Sequence, residues 1–259
     1  MERHNKIKIL GYIPARSGSK GVPDKNIKPV HNVPLLAFSV FTAMDCLDQE
    51  IFTHILLSTD SKLYTENVSR LGYDTDYLRP SEFCKDNSPT VDGILHALDW
   101  YKKSGVTFDA VMILQPTAPF RTPDHITNAI SLLKQNKSAT CVAGIKELGD
   151  CHPARIKKLL DGIWIKDFCD NAREPEPSRR QDFYPSAYLR NGAIYLTPTS
   201  VLEKRLIRGR NVIGLDMPEA NSINVDDHID FISAQSALSY EPYKKYLSYF
   251  DLLLEIFNS

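Results

Sequence analysis

Residues 7–26 read IKILGYIPARSGSKGVPDKN, and this stretch decides how the rest of the chain is organised. Residues 7–13 are mostly apolar and predict a buried first strand. The loop of residues 16–26 then supplies three cations, two glycines and two serines. Glycines let the backbone turn its N–H groups toward a ligand, and cations neutralise anionic oxygens. The stretch therefore predicts a buried strand that leads directly into an anion-binding loop.

The spacing of the cations narrows the kind of anion. Arg16, Lys20 and Lys25 are spread along the loop, so together they can neutralise several phosphate oxygens at once. The simplest ligand for such a loop is a nucleoside triphosphate. The loop has neither the GxxxxGK[ST] spacing of a P-loop nor the GxGxxG of dinucleotide-binding proteins. An NAD-linked oxidoreductase is therefore disfavoured.

Strand-like and helix-like segments alternate along most of the chain. The sequence predicts strands at 7–13, 54–59, 73–78, 110–114, 139–145, 192–196, 211–215 and 222–226, and helices at 34–47, 60–71, 89–104, 123–135, 199–206 and 227–239. Asp60 and Asp227 are the predicted N-caps of two of these helices. Repeated β-loop-α units of this size imply an α/β fold with a three-layer, mostly parallel, Rossmann-like sheet.

Two segments depart from the repeating pattern. Residues 147–187 form a long polar insertion that contains a hairpin with Asp161-Gly162 at its turn, and an insertion of this kind is usually a functional or contact surface. Residues 241–259 form a helical tail with an apolar stripe, which we expect to pack on this domain or on a partner subunit. The main domain is therefore predicted to span residues 1–240, interrupted by the insertion.

Composition excludes several classes of protein. The chain has 259 residues and a formal net charge of -1, which argues against general nucleic-acid binding. No apolar run approaches the roughly 18 residues that a membrane span needs, and the N-terminal residues are too polar for a signal peptide. The five cysteines are scattered and include no CxxC pair. We expect a cytoplasmic protein without a membrane or nucleic-acid partner.

Polar side chains follow several of the predicted strands. Arg79 follows the third strand, Gln115-Pro116-Thr117 follows the fourth, and Asn224 and Asp226 end a late strand. Ligands of open parallel sheets bind beyond the carboxyl ends of the strands, where these side chains and the first loop converge. The sequence therefore predicts one site that all of these segments share.

The order and content of these segments resemble a known family. IPARSGSKG, STD, LRP, LQPT, NGAIY and SINVD, in this order, closely resemble the motifs of the CMP-sialic acid synthetases, the cytidylyltransferases that activate nonulosonic acids. The resemblance covers residues 7–231 and implies a nucleotidyltransferase fold. It also implies transfer of CMP from CTP to the anomeric hydroxyl of a sialic-type acid, with release of pyrophosphate.

The resemblance also implies roles for individual residues. It places Arg16, Ser17, Gly18, Lys20, Lys25 and Asn26 on the CTP phosphates, and Arg79 with Ser88 to Thr90 around the cytidine. Gln115 and Thr117 are implied contacts of the sugar acid, with Arg121 behind them. Arg190 and Asn191 of the NGAIY region are further implied substrate contacts. The family's insertion forms a homodimer and sends basic residues into the neighbouring sugar site, for which Arg155 and Arg180 are the candidates here.

One position departs from the family pattern. The family often holds Mg²⁺ with an Asp-x-Asp pair, whereas this chain has Asn224-Val225-Asp226. Alternate residues of a strand face the same side, so both side chains can share one ligand. Mg²⁺ prefers carboxylates together with substrate phosphates, and an amide oxygen is a weaker, neutral ligand. We therefore expect Asp226 to hold the metal, with Asn224 acting directly or through water. The implied catalytic set is Arg16, Lys20, Lys25 and Asp226.

Alternatives to this interpretation stay open at the level of sequence. The same reaction on legionaminic, pseudaminic or another related acid, or with another nucleotide, leaves the same motifs. A nucleotide-binding regulatory protein with weakened catalysis is a hypothesis of a different class, and Asn224 in the metal pair motivates it.

Overall fold

A computed structural model describes residues 6–18, 22–149, 151–169, 179 and 182–258. Its strands are β1 (Ile9–Pro14), β2 (Pro29–Val30), β3 (Val33–Pro34), β4 (His54–Ser58), β5 (Ala110–Ile113), β6 (Cys141–Glu147), β7 (Lys157–Leu160), β8 (Trp164–Asp167), β9 (Tyr188–Pro198) and β10 (Val212–Asp216). Its helices are α1 (Leu35–Asp48), α2 (Lys62–Val68), α3 (Thr90–Lys103), α4 (Pro123–Gln135), α5 (Thr199–Leu202), α6 (His228–Ser239), α7 (Lys244–Leu247) and α8 (Asp251–Asn258). None of these helices is long and apolar enough to cross a membrane.

Six strands form the central sheet, in the order β10-β6-β9-β5-β1-β4. All neighbouring pairs are parallel except those that involve β9, which runs antiparallel to both β5 and β6. Alternate residues of β1 enter two separate cores: Ile9 and Ile13 pack with α1 and α4, whereas Leu10 and Tyr12 pack with α3. Helices thus cover both faces, and the predicted three-layer, mostly parallel α/β fold is confirmed.

The antiparallel strand β9 brings its own beginning to the functional edge of the sheet. Because β9 runs against its neighbours, Arg190 and Asn191 at its start lie near the carboxyl ends of β5 and β6. The register of β9 against β6 shifts between Ala143 and Ile145, and Gly192 in this irregular stretch has a φ of 74°. A left-handed backbone at this point favours glycine, which explains the glycine of the NGAIY motif.

Two predicted strands are wrong. Residues 73–78 form no strand, and the backbone N–H of Leu57 in the edge strand β4 donates to the Tyr73 hydroxyl (2.8 Å) of this segment. Residues 223–226 also lack strand pairing and follow a short 3-10 turn. The N-H of Val225 donates to the Thr117 carbonyl (2.6 Å), so this segment is fixed to a loop rather than to the sheet.

The two N-cap predictions have opposite outcomes. Asp227 caps α6 and accepts hydrogen bonds from the backbone N–H groups of Ile229 and Asp230, as predicted. Asp60 does not cap α2, which begins at Lys62 after Ser61. The carboxylate of Asp60 instead accepts hydrogen bonds from Ser17 of the first loop.

The insertion and the tail differ in how they pack. Strands β7 and β8 form the predicted hairpin, a separate two-stranded sheet. The tail joins the main core, where the ring of Phe250 lies 5.4 Å from that of Phe38 and 5.7 Å from that of Phe120. The apolar stripe of the tail therefore packs on this domain.

Candidate active site

A cleft of about 510 Å³ opens at the carboxyl edge of the sheet, next to β1. It is lined by most of the residues that the sequence predicts for the site: Arg16, Lys25, Asn26, Arg79, Ser88, Thr90, Gln115, Thr117, Asn224 and Asp226. Pro14, Phe83 and Pro116 complete the lining. Segments that are more than a hundred residues apart in sequence therefore converge on one site.

Asp60 holds the first loop in place by two hydrogen bonds. Its carboxylate accepts from the backbone N–H of Ser17 (2.8 Å) and from the Ser17 hydroxyl (2.7 Å). Partial burial alone raises the pKa of Asp60, but the Ser17 bonds and the nearby charge of Arg79 outweigh it and hold the pKa below its ordinary value. Sequence reasoning missed this role, although Asp60 follows β4 at the same edge as the other site residues.

The described cations of the first loop each contact a carboxylate. Arg16 Nη1 lies 2.8 Å from Asp86 Oδ1, and Lys25 Nζ lies 2.9 Å from Asp226 Oδ1. The buried Asn26 donates from Nδ2 to the Arg16 carbonyl (3.2 Å), which fixes the curvature of the loop. Gly18 takes a φ of 72°, as a tight loop requires. Lys20 lies outside the described residues.

Arg79 forms a buried wall of the cleft. Its side chain is almost fully enclosed, and Nε and Nη2 donate to the hydroxyl and the carbonyl of Ser58 at 2.9 and 2.6 Å. Ser88 lies nearby, where its hydroxyl donates to the Glu82 carbonyl (3.0 Å), and Thr90 begins α3. A fixed guanidinium beside an aromatic ring, Phe83, suits the recognition of a planar polar group such as a base.

Arg121 corrects a sequence prediction, because its guanidinium cannot contact a ligand in the cleft. The side chain is fully buried and donates to the carbonyls of Ala193 (2.6 Å), Gln115 and Ala118 and to the Ser39 hydroxyl (2.7 Å). Burial lowers the pKa of Arg121 to about 9, so it stays charged at neutral pH. Arg121 therefore holds the loop that carries Gln115.

Asn191 is also predicted to contact the substrate, but its side chain is bonded within the protein. Its amide is buried; Nδ2 donates to the Ser222 hydroxyl (2.9 Å), and Oδ1 accepts from the Ala193 N–H (3.0 Å). These bonds tie the start of β9 to the turn before Asn224. Asn191 shapes the cleft wall and does not point a free polar group into it.

A second cavity of about 740 Å³ adjoins the first and shares Thr90 and Gln115 with it. Arg190 is exposed and lines this second cavity, together with Arg205 and Arg208, which sequence reasoning missed. Their signal is weak in sequence, because they lie in a polar turn between α5 and β10 that resembles an ordinary surface loop. The two cavities meet at Thr90 and Gln115.

Asn224 and Asp226 lie side by side at the far end of the cleft, although no strand places them there. Asn224 Nδ2 donates to Asp226 Oδ2, and Lys25 contacts the other carboxylate oxygen. In the described part of the chain no three His, Cys, Asp or Glu side chains cluster to hold a metal. One exposed carboxylate with an adjacent amide oxygen still fits Mg²⁺ that takes its remaining ligands from phosphates and water.

Arg155, the described candidate of the insertion, lines neither of the two cavities of its own chain. Arg155 stacks its guanidinium 4.8 Å from the centre of the Phe183 ring, beyond the residues that line either cavity. Arg180 lies outside the described residues. A role for Arg155 in a neighbouring subunit stays a prediction.

Comparison with known proteins decides the family. Residues 10–205 match the family described as cytidylyltransferase. The chain belongs to the cytidylyltransferase family. This cytidylyltransferase is 31% identical over 226 residues to N-acylneuraminate cytidylyltransferase of Escherichia coli O18:K1:H7. The aligned region covers 86% of this chain and 50% of that protein. It is 29% identical over 233 residues to CMP-N,N'-diacetyllegionaminic acid synthase of Legionella pneumophila. Here the aligned region covers 87% of this chain and 94% of that protein.

These relatives confirm the family resemblance that the motifs predict. The chain spans about half the length of the E. coli relative and nearly the whole length of the Legionella relative. Among solved structures, a CMP:2-keto-3-deoxy-manno-octonic acid synthetase complexed with CTP matches with a TM-score of 0.62 at 14% identity, covering 90% of this chain and 98% of that one. At that identity the match supports the cytidylyltransferase fold alone.

Proposed function

We propose that this chain transfers CMP from CTP to the anomeric hydroxyl of a nonulosonic, sialic-type acid and releases pyrophosphate. The observation that carries this proposal is the cleft in which Arg16, Lys25, Arg79 and Asp226 converge at the carboxyl edge of the sheet. The names of the E. coli and Legionella relatives, a cytidylyltransferase and a CMP-sugar synthase, support the same class of reaction.

The two adjoining cavities suggest how the substrates meet. CTP lies in the first cleft, with its base beside Arg79 and its phosphates beside Arg16 and Lys25. The sugar acid lies in the second cavity, where its carboxylate finds the exposed Arg190, and its anomeric carbon comes near Gln115. This arrangement brings the anomeric hydroxyl toward the α-phosphorus of CTP.

The reaction then needs positioning and charge neutralisation more than a protein nucleophile. The anomeric oxygen forms a bond to the α-phosphorus and gives up its proton to water, while the bond from that phosphorus to the bridging oxygen breaks and pyrophosphate leaves with the electron pair. No histidine or cysteine lines the cleft among the described residues, so Arg16, Lys25 and, by family resemblance, Lys20 carry the catalysis by holding the phosphates in line. Asp226 and Asn224 would hold Mg²⁺, which would supply positive charge to the phosphates.

The sugar acid is identified by a substrate panel. Pyrophosphate release is measured with CTP alone and with CTP plus sialic, legionaminic or pseudaminic acid. The proposal predicts release only when both substrates are present, and the acid that supports it names the substrate. Absence of turnover with every acid would contradict the proposal. Turnover with another nucleotide in place of CTP would revise the proposed base specificity of the enzyme.

A regulatory protein with weakened catalysis is the second candidate, favoured by Asn224 beside the metal carboxylate. Asn224→Asp restores the carboxylate pair of the family. A change from no activity to measurable turnover would favour the regulatory interpretation. Substantial turnover in the unaltered chain would exclude it.

The insertion suggests a homodimer in which one subunit completes the sugar site of the other. The β7–β8 hairpin exposes large apolar side chains, including Leu159 (63%), Trp164 (65%) and Ile165 (68%). Such a concentration of exposed apolar surface is typical of an interface. Arg155 next to this hairpin is the described candidate for the contact across subunits.

The five cysteines are free thiols, which fits the cytoplasm as the proposed compartment.

A further inference from the structure

Ser58, the last residue of β4, is the centre of a buried hydrogen-bond network behind the cleft. Its hydroxyl accepts from Arg79 Nε (2.9 Å) and from the Tyr12 hydroxyl (3.0 Å), and its carbonyl accepts from Arg79 Nη2 (2.6 Å). Ser58 and Tyr12 are both fully buried. Neither Ser58 nor Tyr12 lines the cleft, so both act behind the guanidinium.

Two acceptors on one residue fix both the position and the rotation of the guanidinium. Because Nε and Nη2 lie along one edge of the planar group, bonding both of them to Ser58 leaves the Nη1 edge to face away from that residue. A single bond would leave the group free to swing. The two bonds to Ser58 therefore set the direction of the remaining N–H donors of Arg79.

Helix α3 encloses the same network from the other side. A Cβ atom added at Gly93 would lie 2.8 Å from the Tyr12 hydroxyl and 3.4 Å from Arg79 Nε. The helix backbone thus approaches the Tyr12–Ser58–Arg79 group as closely as only glycine permits. The network is confined by a strand on one side and a helix on the other.

A donor fixed in this way has a chemical consequence for base recognition. Cytosine offers two neighbouring acceptors, O2 and N3, whereas uracil carries a hydrogen on N3 that opposes a donor. A site built around a fixed hydrogen-bonding group rejects an analogue that cannot pair with it far more strongly than a flexible site does. The discrimination therefore depends on how firmly Arg79 is held.

We infer that Ser58 is a positioning residue for base selection: by fixing the Arg79 guanidinium it sets the preference for CTP over UTP. This inference rests on the proposed function, because it takes Arg79 to lie beside the base. Ser58 itself touches neither substrate.

Three variants test the network from different directions. Ser58→Ala removes the hydroxyl acceptor, Tyr12→Phe removes its second donor, and Gly93→Ala pushes a methyl group against Tyr12 and Arg79. Ser39→Ala is the matched control, because the buried Ser39 hydroxyl accepts from Arg121 (2.7 Å) on the loop that carries Gln115. The KM and kcat values for CTP and UTP are measured with a sugar acid that supports turnover, and nucleotide affinities are measured by calorimetry.

For Ser58→Ala we expect the ratio of kcat/KM for CTP to that for UTP to fall about tenfold or more. The fall arises from a raised KM and a weaker affinity for CTP, while kcat changes little. Tyr12→Phe and Gly93→Ala lower the same ratio by smaller factors. Ser39→Ala leaves the ratio unchanged and raises KM for the sugar acid.

Distinct results overturn the inference and the proposed function. A wild-type protein that turns over without preferring CTP overturns the inference and revises only the base specificity of the proposed function, whereas absence of turnover with every acid overturns the proposed function. If the wild-type protein prefers CTP but folded Ser58→Ala keeps its ratio, the inference alone is overturned. If Ser58→Ala does not fold, an unchanged ratio in both Tyr12→Phe and Gly93→Ala overturns it. An equal fall in Ser39→Ala would indicate general loosening and would also overturn it.

Discussion

Arg16 and Lys25 each pair with a carboxylate that is partly open to solvent. Asp86 and Asp226, their partners, keep 44% and 66% of their side-chain surface exposed. Exposed ion pairs contribute little to stability, because water screens the charges. The pairs therefore orient the two cations toward the cleft, and the exchange of a carboxylate for a phosphate costs little.

Lys25→Met tests the phosphate role of this cation at the residue scale. We expect kcat to fall about 100-fold, since one preorganised charge is removed from the developing phosphate charge. Lys28→Met is the matched control: Lys28 lies three residues further on, contacts His228 and the Phe231 ring, and does not line the cleft. Steady-state kinetics of both variants measure the difference, and near-wild-type kcat in Lys25→Met would contradict the assigned role.

The sequence predicts which segments meet at the cleft, but it does not predict which of their side chains face the cleft and which are buried. Gln115 follows β5 at the carboxyl edge of the sheet, as predicted, because parallel strands deliver the residues that follow them to one edge. Arg79 and Asp226 line the same cleft, although the strands predicted to lead to them do not form. Arg121 and Asn191 belong to the same motifs, yet both are buried and hold backbone groups. Burial depends on the tertiary packing of distant segments, which a motif does not reveal.

At the scale of elements, the bulge in β9 controls the shape of the cleft. Gly192 has a φ of 74°, and a Cβ atom there would lie 3.0 Å from Gln115 Oε1 and 3.5 Å from Asn224 Oδ1. The glycine thus allows the backbone to turn and also leaves room for two polar side chains of the site. One position in a strand therefore lies beside two side chains of the cleft that belong to different segments.

Gly192→Ala should lose about 1–2 kcal/mol of stability from the left-handed backbone and also raise KM for the sugar acid by displacing Gln115. Gly72→Ala is the matched control, because Gly72 has a φ of 77° but has no atom near its added Cβ. Thermal unfolding and steady-state kinetics together separate the two effects. Equal kinetics in the two variants would refute the coupling of Gly192 to the site.

The N-terminus of α4 contains a titratable cap. His125 Nδ1 accepts from the backbone N–H of Thr122 (3.1 Å) and contacts the Thr122 hydroxyl (2.8 Å). Burial lowers the pKa of His125, and protonated Nδ1 cannot accept a hydrogen bond. Because the unfolded chain binds a proton near pH 6.5 while the folded protein resists it, the free energy of unfolding should fall as the pH drops below about 6.5.

His125→Gln tests this cap, since glutamine keeps an acceptor at the third helical position but does not titrate. We expect a shallower loss of stability between about pH 6.5 and 5 in chemical unfolding experiments on the variant. His54 and His96, whose pKa values burial also lowers, contribute equally to both proteins. Identical pH dependence of the two proteins would exclude a role for His125.

Elements with strong local signals were predictable, and those set by tertiary contacts were not. Helix α4 begins at Pro123 and ends at Gln135, as the sequence predicts. The apolar pattern of residues 222–226 resembles a strand, but its backbone bonds to the loop at Thr117 instead of a sheet neighbour. Nothing in the local pattern distinguishes a buried extended segment from a paired one.

At the scale of the whole molecule, the exposed hairpin predicts assembly. Ile165 and Leu159 are paired across β7 and β8 and are both largely exposed. Ile165→Lys should shift the protein from dimer to monomer in analytical ultracentrifugation and raise KM for the sugar acid. Leu63→Lys, at an exposed apolar position (51%) on α2 away from the hairpin, is the control and should leave the dimer intact. A wild-type protein that sediments as a monomer at assay concentrations would contradict the dimer.

The proposed transfer requires attack at the α-phosphorus of CTP, and ³¹P NMR of the complete reaction identifies the phosphorus that reacts. With Mg²⁺, CTP and a sugar acid that supports turnover, the claimed attack on the α-phosphorus predicts pyrophosphate and a CMP–sugar phosphodiester in equal amounts. Inorganic phosphate with CDP, or loss of CTP without a phosphodiester signal, would contradict it.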